Sequence, residues 1–272
     1  MKKGMLILTV LALAFIFCFP IYMALLTSFK SQSEISQSIL SIPSGLRFEN
    51  YREALEKSDF ARSLFNSCIV TFPSVVLIVL CASMGGYAIA RYGGRNKGFQ
   101  ILDKIYLGSL MIPFQILMIP IYKVFKELRL QNSLLGMILL LTGTSIAYAT
   151  FLYVGFVKSI PRDLEDAAMI DGCGPYRTFF KIVFPLMKPV TATVAALHVM
   201  WLWNDFNIAL IVLQKEEVRT LTVKQYYFFG EHTADYGIAF SASIICMLPV
   251  LLFFIFSQRY LVEGIASGAV KS

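Results

Sequence analysis

The sequence predicts an all-α, polytopic membrane protein with six transmembrane helices. Of its 272 residues, 57% are hydrophobic and 15% are charged, whereas soluble domains average about 45–50% apolar and about 25% charged residues. The charges are unevenly placed, because six blocks of 18 to 28 residues contain at most one each. A helix needs roughly 20 apolar residues to cross the hydrocarbon core. This pattern excludes a soluble enzyme and a nucleic-acid-binding domain.

Six candidate spans follow from these blocks, within a single transmembrane domain covering residues 1–272. Helices are the expected spanning form, because isolated strands leave backbone groups unpaired in lipid. Runs such as 75–80 are apolar on every face rather than on alternate residues. We expect the first block to be a retained span, since it is longer than the apolar core of a cleavable signal peptide, about 7–15 residues. The expected spans are 5–28, 66–90, 105–122, 134–157, 190–212 and 240–258.

The distribution of charge predicts the orientation. With a cytoplasmic amino terminus, the four inner segments carry 13 Lys and Arg against 6 Asp and Glu, and the three outer segments carry 11 against 10. Short inner flanks rich in Lys and Arg are typical of the cytoplasmic side. The basic stretch 91–97 is the clearest inner marker. Both termini are therefore predicted to be cytoplasmic.

Small residues and prolines mark features inside the spans. Ala82, Gly86 and Ala90 follow each other at four-residue spacing, which lets another helix approach closely. Packing within one chain and a dimer interface explain this spacing equally well. Broken helices are tolerated at membrane depth where neighbours or a cavity satisfy the backbone. Seven of the ten prolines lie in or at the ends of spans: Pro20, Pro73, Pro113, Pro120, Pro185, Pro189 and Pro249.

The polar segment 158–188 is predicted to contain a short helix. Pro161 suits a first helical turn, and Asp163 is one of three acidic residues that favour its positive end. Gly172 and Gly174 are expected to end the helix sharply. A helix of two or three turns is too short to be stable alone, so it must dock. A partner's groove and the chain's own membrane domain are both open as its docking surface.

A motif in this segment resembles a known family. Glu165-Asp166-Ala167-Ala168-x-x-Asp171-Gly172 is followed, after nine residues, by Ile182-x-Phe184-Pro185. This pattern resembles the EAA loop of ABC-importer permeases, which reads E-A-A-x-x-x-G, nine residues, then I-x-L-P. Asp166 and Phe184 are mild departures from it. Further stretches are similar to the MalG-type carbohydrate uptake subgroup of binding-protein-dependent inner membrane components: 20–30, 66–67, 87–91, 203–206, 258–264 and 268–271.

The resemblance implies that segment 159–185 couples the spans to a separate ATPase. Glu165 would make the polar contact with the ATPase, Ala167 and Ala168 would allow close approach, and Gly172 would form the sharp turn. The tail would reach between the ATPase subunits, although on its residues alone it could equally be a solvated end. The implied coupling residues are Glu165, Asp166, Ala167, Ala168, Asp171 and Gly172, and the implied tail contacts are Gly268, Val270 and Lys271.

The resemblance also implies the partners and the location. We expect a multi-pass protein of the bacterial inner (cytoplasmic) membrane that forms half of a pathway for a sugar, expected to be an oligosaccharide. Its partners would be a second homologous permease, two copies of a cytoplasmic ATPase, an extracellular solute-binding protein, the sugar and the lipid bilayer, with no nucleic acid. The sequence contains no G-x-x-x-x-G-K-[ST] motif, which would cradle ATP phosphates. The chain is thus predicted to be no enzyme and to bind no cofactor or metal, with ATP-Mg on the partner ATPase.

Two other classes of protein compete with this interpretation. Secondary transporters driven by an ion gradient usually carry internal repeats and several intramembrane ionisable residues. This chain has no evident repeat, and its spans hold one acid, Asp205, and one histidine, His198. An intramembrane enzyme would need a catalytic pair or a metal cluster at one depth, and five scattered cysteines and two histidines supply none.

One polar cluster in the fifth span is a candidate for lining the translocation path. A lone carboxylate in lipid is costly, so Asp205 should face protein or water. Tryptophan faces next to amide and carboxylate groups also suit a sugar ring and its hydroxyls. Interfacial placement of the tryptophans and an interhelical hydrogen bond by Asp205 are the alternatives, and His198 is expected to be a packing residue. The candidate path residues are Trp201, Trp203, Asn204, Asp205 and Asn207.

Overall fold

The structure is a computed structural model that describes residues 2–57, 59–231 and 235–269. The chain is 81% helical, with no strand among those described residues, which confirms the all-α fold class. The α-helices are, in chain order, α1 (Lys2–Ser28), α2 (Gln32–Gln37), α3 (Glu49–Lys57), α4 (Phe60–Tyr92), α5 (Lys97–Ser109), α6 (Phe114–Glu127), α7 (Leu134–Val157), α8 (Asp163–Ile170), α9 (Pro175–Thr178), α10 (Phe184–Leu186), α11 (Lys188–Trp203), α12 (Asn207–Val212), α13 (Leu221–Glu231) and α14 (Tyr236–Ala269).

Four of these helices contain stretches that are long and apolar enough to cross a membrane unbroken. They are Lys3–Ser28, Phe60–Tyr92, Leu134–Val157 and Tyr236–Gln258. Two further pairs of helices pass the same test only when the two helices of a pair, which are bent relative to each other, are counted as one span. Among the described residues, length and composition therefore give between four and six spans.

The expected span 105–122 differs from the structure. It falls across α5 and α6, which are inclined at 108° to each other. The break lies at residues 110–113, and α6 starts directly after Pro113. Proline has no N–H to donate and disfavours the helical conformation of the residue before it, so the helix that begins at Lys97 ends ahead of Pro113.

The expected span 190–212 is also divided. Its residues lie in α11 and α12, which residues 204–206 separate, and α11 forms the second bent pair with Pro175–Leu186, at 75°, and not with α12. The Asn204 side chain donates to the carbonyl oxygen of Met200 (2.8 Å), and Asp205 Oδ1 accepts the N–H of Ala209 (3.0 Å). The Asp205 carboxylate thus takes up an N–H group in the first turn of α12 that has no partner within the helix, and the Asn204 side chain adds a second hydrogen bond at the end of α11.

Not every proline interrupts its helix. Pro20, Pro73 and Pro249 lie inside the continuous helices α1, α4 and α14. Pro113 and Pro189 instead lie at the starts of α6 and α11, where a missing N–H removes no intrahelical hydrogen bond. The expected helix breaks are therefore present at some of the seven prolines only.

The helices form two compact units, and the first comprises Met1–Leu64 and Leu221–Leu252. Its core is centred on Ala54 of α3 and on four small or branched residues of α14. The Asn50 side chain, which is buried, donates to the carbonyl oxygens of Ser28 (2.8 Å) and Lys30 (2.9 Å). Asn50 therefore ties α3 to the end of α1.

The second compact unit comprises Phe65–Thr220 and Phe253–Ser272. Its helices α4 and α7 approach closely at Gly86, where an added Cβ would lie 2.6 Å from Tyr153 Cβ. The Tyr153 hydroxyl in turn donates to Thr191 on α11 (3.1 Å). The expected close approach at Gly86 is thus made to a helix of the same chain. A single domain covering residues 1–272 stays a prediction.

Candidate functional site

The polar segment between α7 and α11 contains one short exposed helix, α8, within the second unit. A turn after α7 leads to α8, and α9 and a single π-helical turn (Phe179–Val183) follow it. Helix α8 contacts both α9 and this π-helical turn. These contacts hold the eight residues of α8 in place, although so short a helix is not stable alone.

The start of α8 is acidic. Asp163, Glu165 and Asp166 lie in its first turn, where negative charge is favoured by the helix dipole. The carbonyl oxygen of Arg162 accepts the N–H groups of Glu165 (2.8 Å) and Asp166 (3.0 Å). The helix begins at Asp163, so Pro161 precedes it instead of lying in its first turn as the sequence suggested.

The end of α8 is a Schellman motif. The N–H of Gly172 donates to the carbonyl oxygen of Met169 (3.0 Å), and that of Cys173 to the carbonyl oxygen of Ala168 (2.9 Å). Gly172 has a φ of +78°, the left-handed conformation that this motif requires and that glycine adopts without a Cβ penalty. The expected sharp helix end at Gly172 is confirmed.

One face of α8 is turned into the protein and holds a buried ion pair. Arg91, near the end of α4, reaches Glu165 through Nη2 (2.6 Å) and Nε (2.7 Å), both to Oε1. The Tyr87 hydroxyl donates to Glu165 Oε2 (2.8 Å), and Arg91 Nη2 also donates to the carbonyl oxygen of Ile160 (2.8 Å). Both carboxylate oxygens of Glu165 therefore have partners within this chain.

The rest of α8 is exposed and mixes apolar with acidic side chains. Ala167 and Ile170 (87% exposed) lie opposite Glu165, on the same side of the helix as Asp163 and Asp166. Leu164 (44% exposed) and Met169 (59%) flank the buried face. Tyr176, at the start of α9, is 73% exposed. Exposed apolar side chains next to acidic ones, as on this side of α8, are typical of a protein interaction site.

The structure separates the expected coupling residues into two sets. Glu165 and Ala168 face inward and are buried, whereas Asp166, Ala167, Asp171 and Gly172 are exposed. The inward direction of Glu165 differs from the surface contact that the resemblance implied. Counted back from Gly172, the glutamate position of E-A-A-x-x-x-G is occupied by Asp166, which is exposed. Residues three positions apart share one face of a helix, and the face of Glu165 and Ala168 is the one that packs on the protein.

Arg91 and Tyr87 belong to this site and were not among the expected site residues. Their signal was present in the sequence, because both lie in the stretch 87–91 that resembles the permease family. The sequence interpretation used Arg91 only as a marker of the inner side. Its contact with Glu165 joins residues 74 positions apart, which no local pattern reveals.

The expected path residues do not share one environment. Trp201, Asn204 and Asn207 are exposed, and the Trp201 ring lies 5.1 Å from the ring of Tyr148. Trp203 is only 8% exposed, so it differs from the expectation and packs in the interior. Asp205 is half-buried and accepts the N–H of Ala209.

His198 and the carboxyl-terminal tail are the remaining positions for which an expectation followed from the sequence. His198 is fully buried, with Nδ1 2.7 Å from the carbonyl oxygen of Val194, and its ring lies 5.4 Å from the Trp201 ring. Gly268 belongs to the last turn of α14. Val270 and Lys271 lie outside the described residues.

The fold and this site define a polytopic membrane protein that presents a short helix with exposed apolar and acidic side chains. Residues 59–267 match the family described as the binding-protein-dependent transport system inner membrane component. The chain belongs to this family. It is therefore an inner membrane component of a transport system, and its family is one of transport subunits.

Similar proteins extend over nearly the whole chain. The melibiose/raffinose/stachyose import permease protein MelC of Bacillus subtilis is 35% identical over 99% of this chain and 98% of its own length. The multiple sugar-binding transport system permease protein MsmG of Streptococcus mutans is 34% identical over 93% of this chain and 91% of its own length. These similarities support the resemblance to MalG-type carbohydrate permeases.

A solved structure shares the fold. In the crystal structure of a bacterial ABC transporter that imports the acidic polysaccharide alginate, one chain is 22% identical to this one and superimposes with a TM-score of 0.81. The match covers 95% of this chain and 96% of the solved chain. A second alginate transporter structure, in complex with a pentasaccharide-bound periplasmic protein, matches with a TM-score of 0.70 at 14% identity.

Proposed function

We propose that the chain is a permease subunit of an ABC importer and forms half of the translocation pathway for an oligosaccharide. The relatives named for melibiose, raffinose and stachyose and for multiple sugars support a carbohydrate substrate. One such chain supplies one half of a pathway, so a second homologous permease completes it. An extracellular solute-binding protein delivers the sugar, as the family's description implies.

The exposed side of α8, which combines apolar and acidic residues, is the observation that carries the mechanism. Two copies of a cytoplasmic ATPase bind ATP-Mg, and the cleft of one copy receives α8. Ala167 allows close approach, and Leu164 and Ile170 supply apolar contact area. The Schellman turn at Gly172 ends the helix abruptly, so the exposed face is short enough to enter a cleft. When the two ATPase copies close on each other, they move α8, and this movement changes the arrangement of the spans.

This mechanism requires α8 on the cytoplasmic side. Segments 1–3, 91–104, 158–188 and 259–272 are richer in Lys and Arg than the segments assigned to the outer side, which supports cytoplasmic termini. The tail residues Gly268, Val270 and Lys271 then lie on the same side as the ATPase, and we propose them as a second contact with it.

The exposed polar and aromatic residues after α11 are proposed to line the path. Trp201 offers an apolar plane on which a sugar ring can stack, and the side chains of Asn204 and Asn207 offer hydrogen bonds to hydroxyl groups. Asp205 holds the interruption between α11 and α12 through Ala209, so its contribution is to the shape of the path. Trp203 is buried and is not part of this surface.

Reconstituted transport tests the proposal. Proteoliposomes would contain the chain, its partner permease and the ATPase, with binding protein outside and a panel of maltotriose, raffinose, stachyose and arabinotriose. We expect one of these sugars to accumulate only when ATP-Mg is available to the ATPase. Accumulation without nucleotide, or an ATPase that binds on the side of the loop between α1 and α4, would overturn the proposal.

The contact surface has its own test. Ile170→Gln should weaken association of the ATPase with the membrane complex at least tenfold, about 1.4 kcal/mol, because Ile170 is 87% exposed on α8. Ile42→Gln is the matched control, since Ile42 is 78% exposed in the loop between α2 and α3. If the two variants bind the ATPase equally well, α8 is not part of the surface that contacts the ATPase.

A further inference from the structure

The inward face of α8 is joined to α4 by a buried polar cluster of three residues: Tyr87, Arg91 and Glu165. The Arg91 and Glu165 side chains are 7% and 9% exposed, and the cluster contains an ion pair at 2.6 Å and a tyrosine hydrogen bond at 2.8 Å. Charge-assisted hydrogen bonds at these distances are the strong ones. The cluster is therefore a specific attachment between a span and the short exposed helix.

Arg91 holds two points of the connection at once. Its Nη2 group contacts both Glu165 on α8 and the carbonyl oxygen of Ile160 in the turn before α8. The covalent link from α7 to α8 consists of residues 158–162, none of them in a helix. Arg91 thus contacts the non-helical link in its middle and α8 just beyond it, so α8 has a second attachment that runs to α4 instead of α7.

Tyr87 extends the attachment to the segment after α8. Its ring lies 5.3 Å from the ring of Phe179, which opens the π-helical turn on the way to α11. The Tyr87 hydroxyl meets Glu165 on α8. One side chain of α4 therefore contacts the segments on both sides of the Gly172 turn, so α8 cannot move as a loosely tethered element.

We infer that Arg91 and Tyr87 are positioning residues that lock α8 to α4, so that a displacement of α8 is carried into the span Phe60–Tyr92. This inference rests on the proposed function. It gives Glu165 a different role from a contact with the ATPase: its carboxylate is the internal anchor, and the exposed side of α8, opposite to Glu165, meets the partner. Without the contacts of Arg91 and Tyr87, the ATPase should still bind α8, but the displacement of α8 should no longer be carried into the span.

The test is the ratio of sugar imported to ATP hydrolysed in the proteoliposomes described above, with the panel sugar that the wild-type complex accumulates. Arg91→Gln removes the charge and should lower this ratio at least tenfold, while the ATPase still associates and hydrolyses ATP. Arg91→Lys keeps the charge but has one ammonium group in place of Nη2 and Nε, so its ratio should lie between those of Arg91→Gln and the wild-type complex. Arg95→Gln is the control, because Arg95 is exposed four residues further along the chain.

Tyr87→Phe keeps the test decisive if Arg91→Gln does not fold. It removes a single hydroxyl group and leaves the ring against Phe179, and it should lower the ratio about threefold. A wild-type ratio in Tyr87→Phe and in any folded Arg91→Gln protein would overturn the inference. Loss of ATPase association in these variants would overturn it too, because the cluster would then only shape the docking surface. Failure of the wild-type complex to require ATP would instead overturn the proposed function.

Discussion

Gly86 on α4 and Tyr153 on α7 lie so close that a Cβ on Gly86 would be 2.6 Å from Tyr153 Cβ. The same position would be 3.2 Å from the backbone nitrogen of Val154 and 3.3 Å from the carbonyl oxygen of Thr150. Two of these three neighbours are backbone atoms, which cannot move aside as a flexible side chain could. The close approach therefore depends on the absence of a side chain at Gly86.

Gly86→Ala should destabilise the protein relative to Gly85→Ala. An alanine at Gly85 would meet only Thr150 side-chain atoms at 3.9 and 4.0 Å, which is ordinary contact. Both variants gain the same helix propensity, whereas Gly86→Ala alone overpacks the interface, at about 1–3 kcal/mol. Thermal unfolding of the purified protein in detergent should show a lower midpoint for Gly86→Ala. Equal midpoints would mean that α4 and α7 separate at little cost.

Hydropathy predicted those spans in which the helix and the apolar block coincide. The expected span 134–157 has the same bounds as α7, because polar residues flank the block on both sides. At 105–122 the apolar block contains a helix break that hydropathy does not reveal, since residues 110–112 are as apolar as their helical neighbours. Apolar composition reports burial in lipid, whereas a helix end depends on backbone hydrogen bonds, and there Pro113 was the only local signal.

The sequence predicts the backbone conformation of the candidate site but not its side-chain contacts. The end of α8 at Gly172 follows from the rules for helix termini, which are local. The inward direction of Glu165 depends on Arg91, which is 74 positions away in the chain. Likewise, Trp201 and Trp203 are two positions apart and therefore lie on different sides of α11, but only the packing around α11 decides which of the two is buried.

Gly172→Ala should loosen the end of α8. The φ of +78° at Gly172 costs a residue with a Cβ about 1–2 kcal/mol, although no neighbouring atom lies within 4 Å of the added Cβ. Hydrogen exchange of the Gly172 and Cys173 amides should therefore accelerate by about 5–30-fold. Gly174→Ala should leave it unchanged, because Gly174 has a φ of −72°.

A second substitution separates backbone strain from side-chain bulk at the same site. Gly172→Asn adds a larger side chain, but asparagine tolerates the left-handed conformation better than alanine. We expect its exchange rates to lie closer to those of the wild-type protein than to those of Gly172→Ala. Equally fast exchange in Gly172→Asn would show that bulk, and not φ, is what the turn rejects.

Glu34 should stabilise the first loop in a pH-dependent way. A hydrogen bond from the Ser44 hydroxyl, with backbone N–H donors from Ser31 (2.8 Å) and Ser44 (2.9 Å), lowers the pKa of this carboxyl from 4.5 to about 2. Because the folded-state pKa is the lower one, the stabilisation is present above about pH 4.5 and is lost as the pH falls toward 2. Glu34 is only partly buried, in a short surface helix, so the effect will be small and local.

Hydrogen exchange across residues 31–44 measures this effect. The wild-type protein should be better protected than Glu34→Gln at pH 7, and the difference should shrink between about pH 4.5 and 2. Ser44→Ala removes the donor with the largest effect on the pKa of Glu34, so its protection should be lost at a higher pH than in the wild-type protein. A difference in protection between the wild-type protein and Glu34→Gln that stays constant with pH would show that the charge of Glu34 does not stabilise the loop.

Asp205 should matter more than an exposed acid of the following loop. Asp205 Oδ1 accepts the N–H of Ala209 at the start of α12 (3.0 Å), and loss of such a capping oxygen costs about 0.5–2 kcal/mol. Asp205→Ala should therefore lower both the unfolding midpoint and the initial rate of uptake, whereas Asp205→Asn, which keeps an acceptor oxygen, should retain the midpoint. Glu217→Ala is the control, because its side chain is exposed in the loop before α13. Equal midpoints and equal uptake for Asp205→Ala and Glu217→Ala would show that the interruption between α11 and α12 does not need this carboxylate.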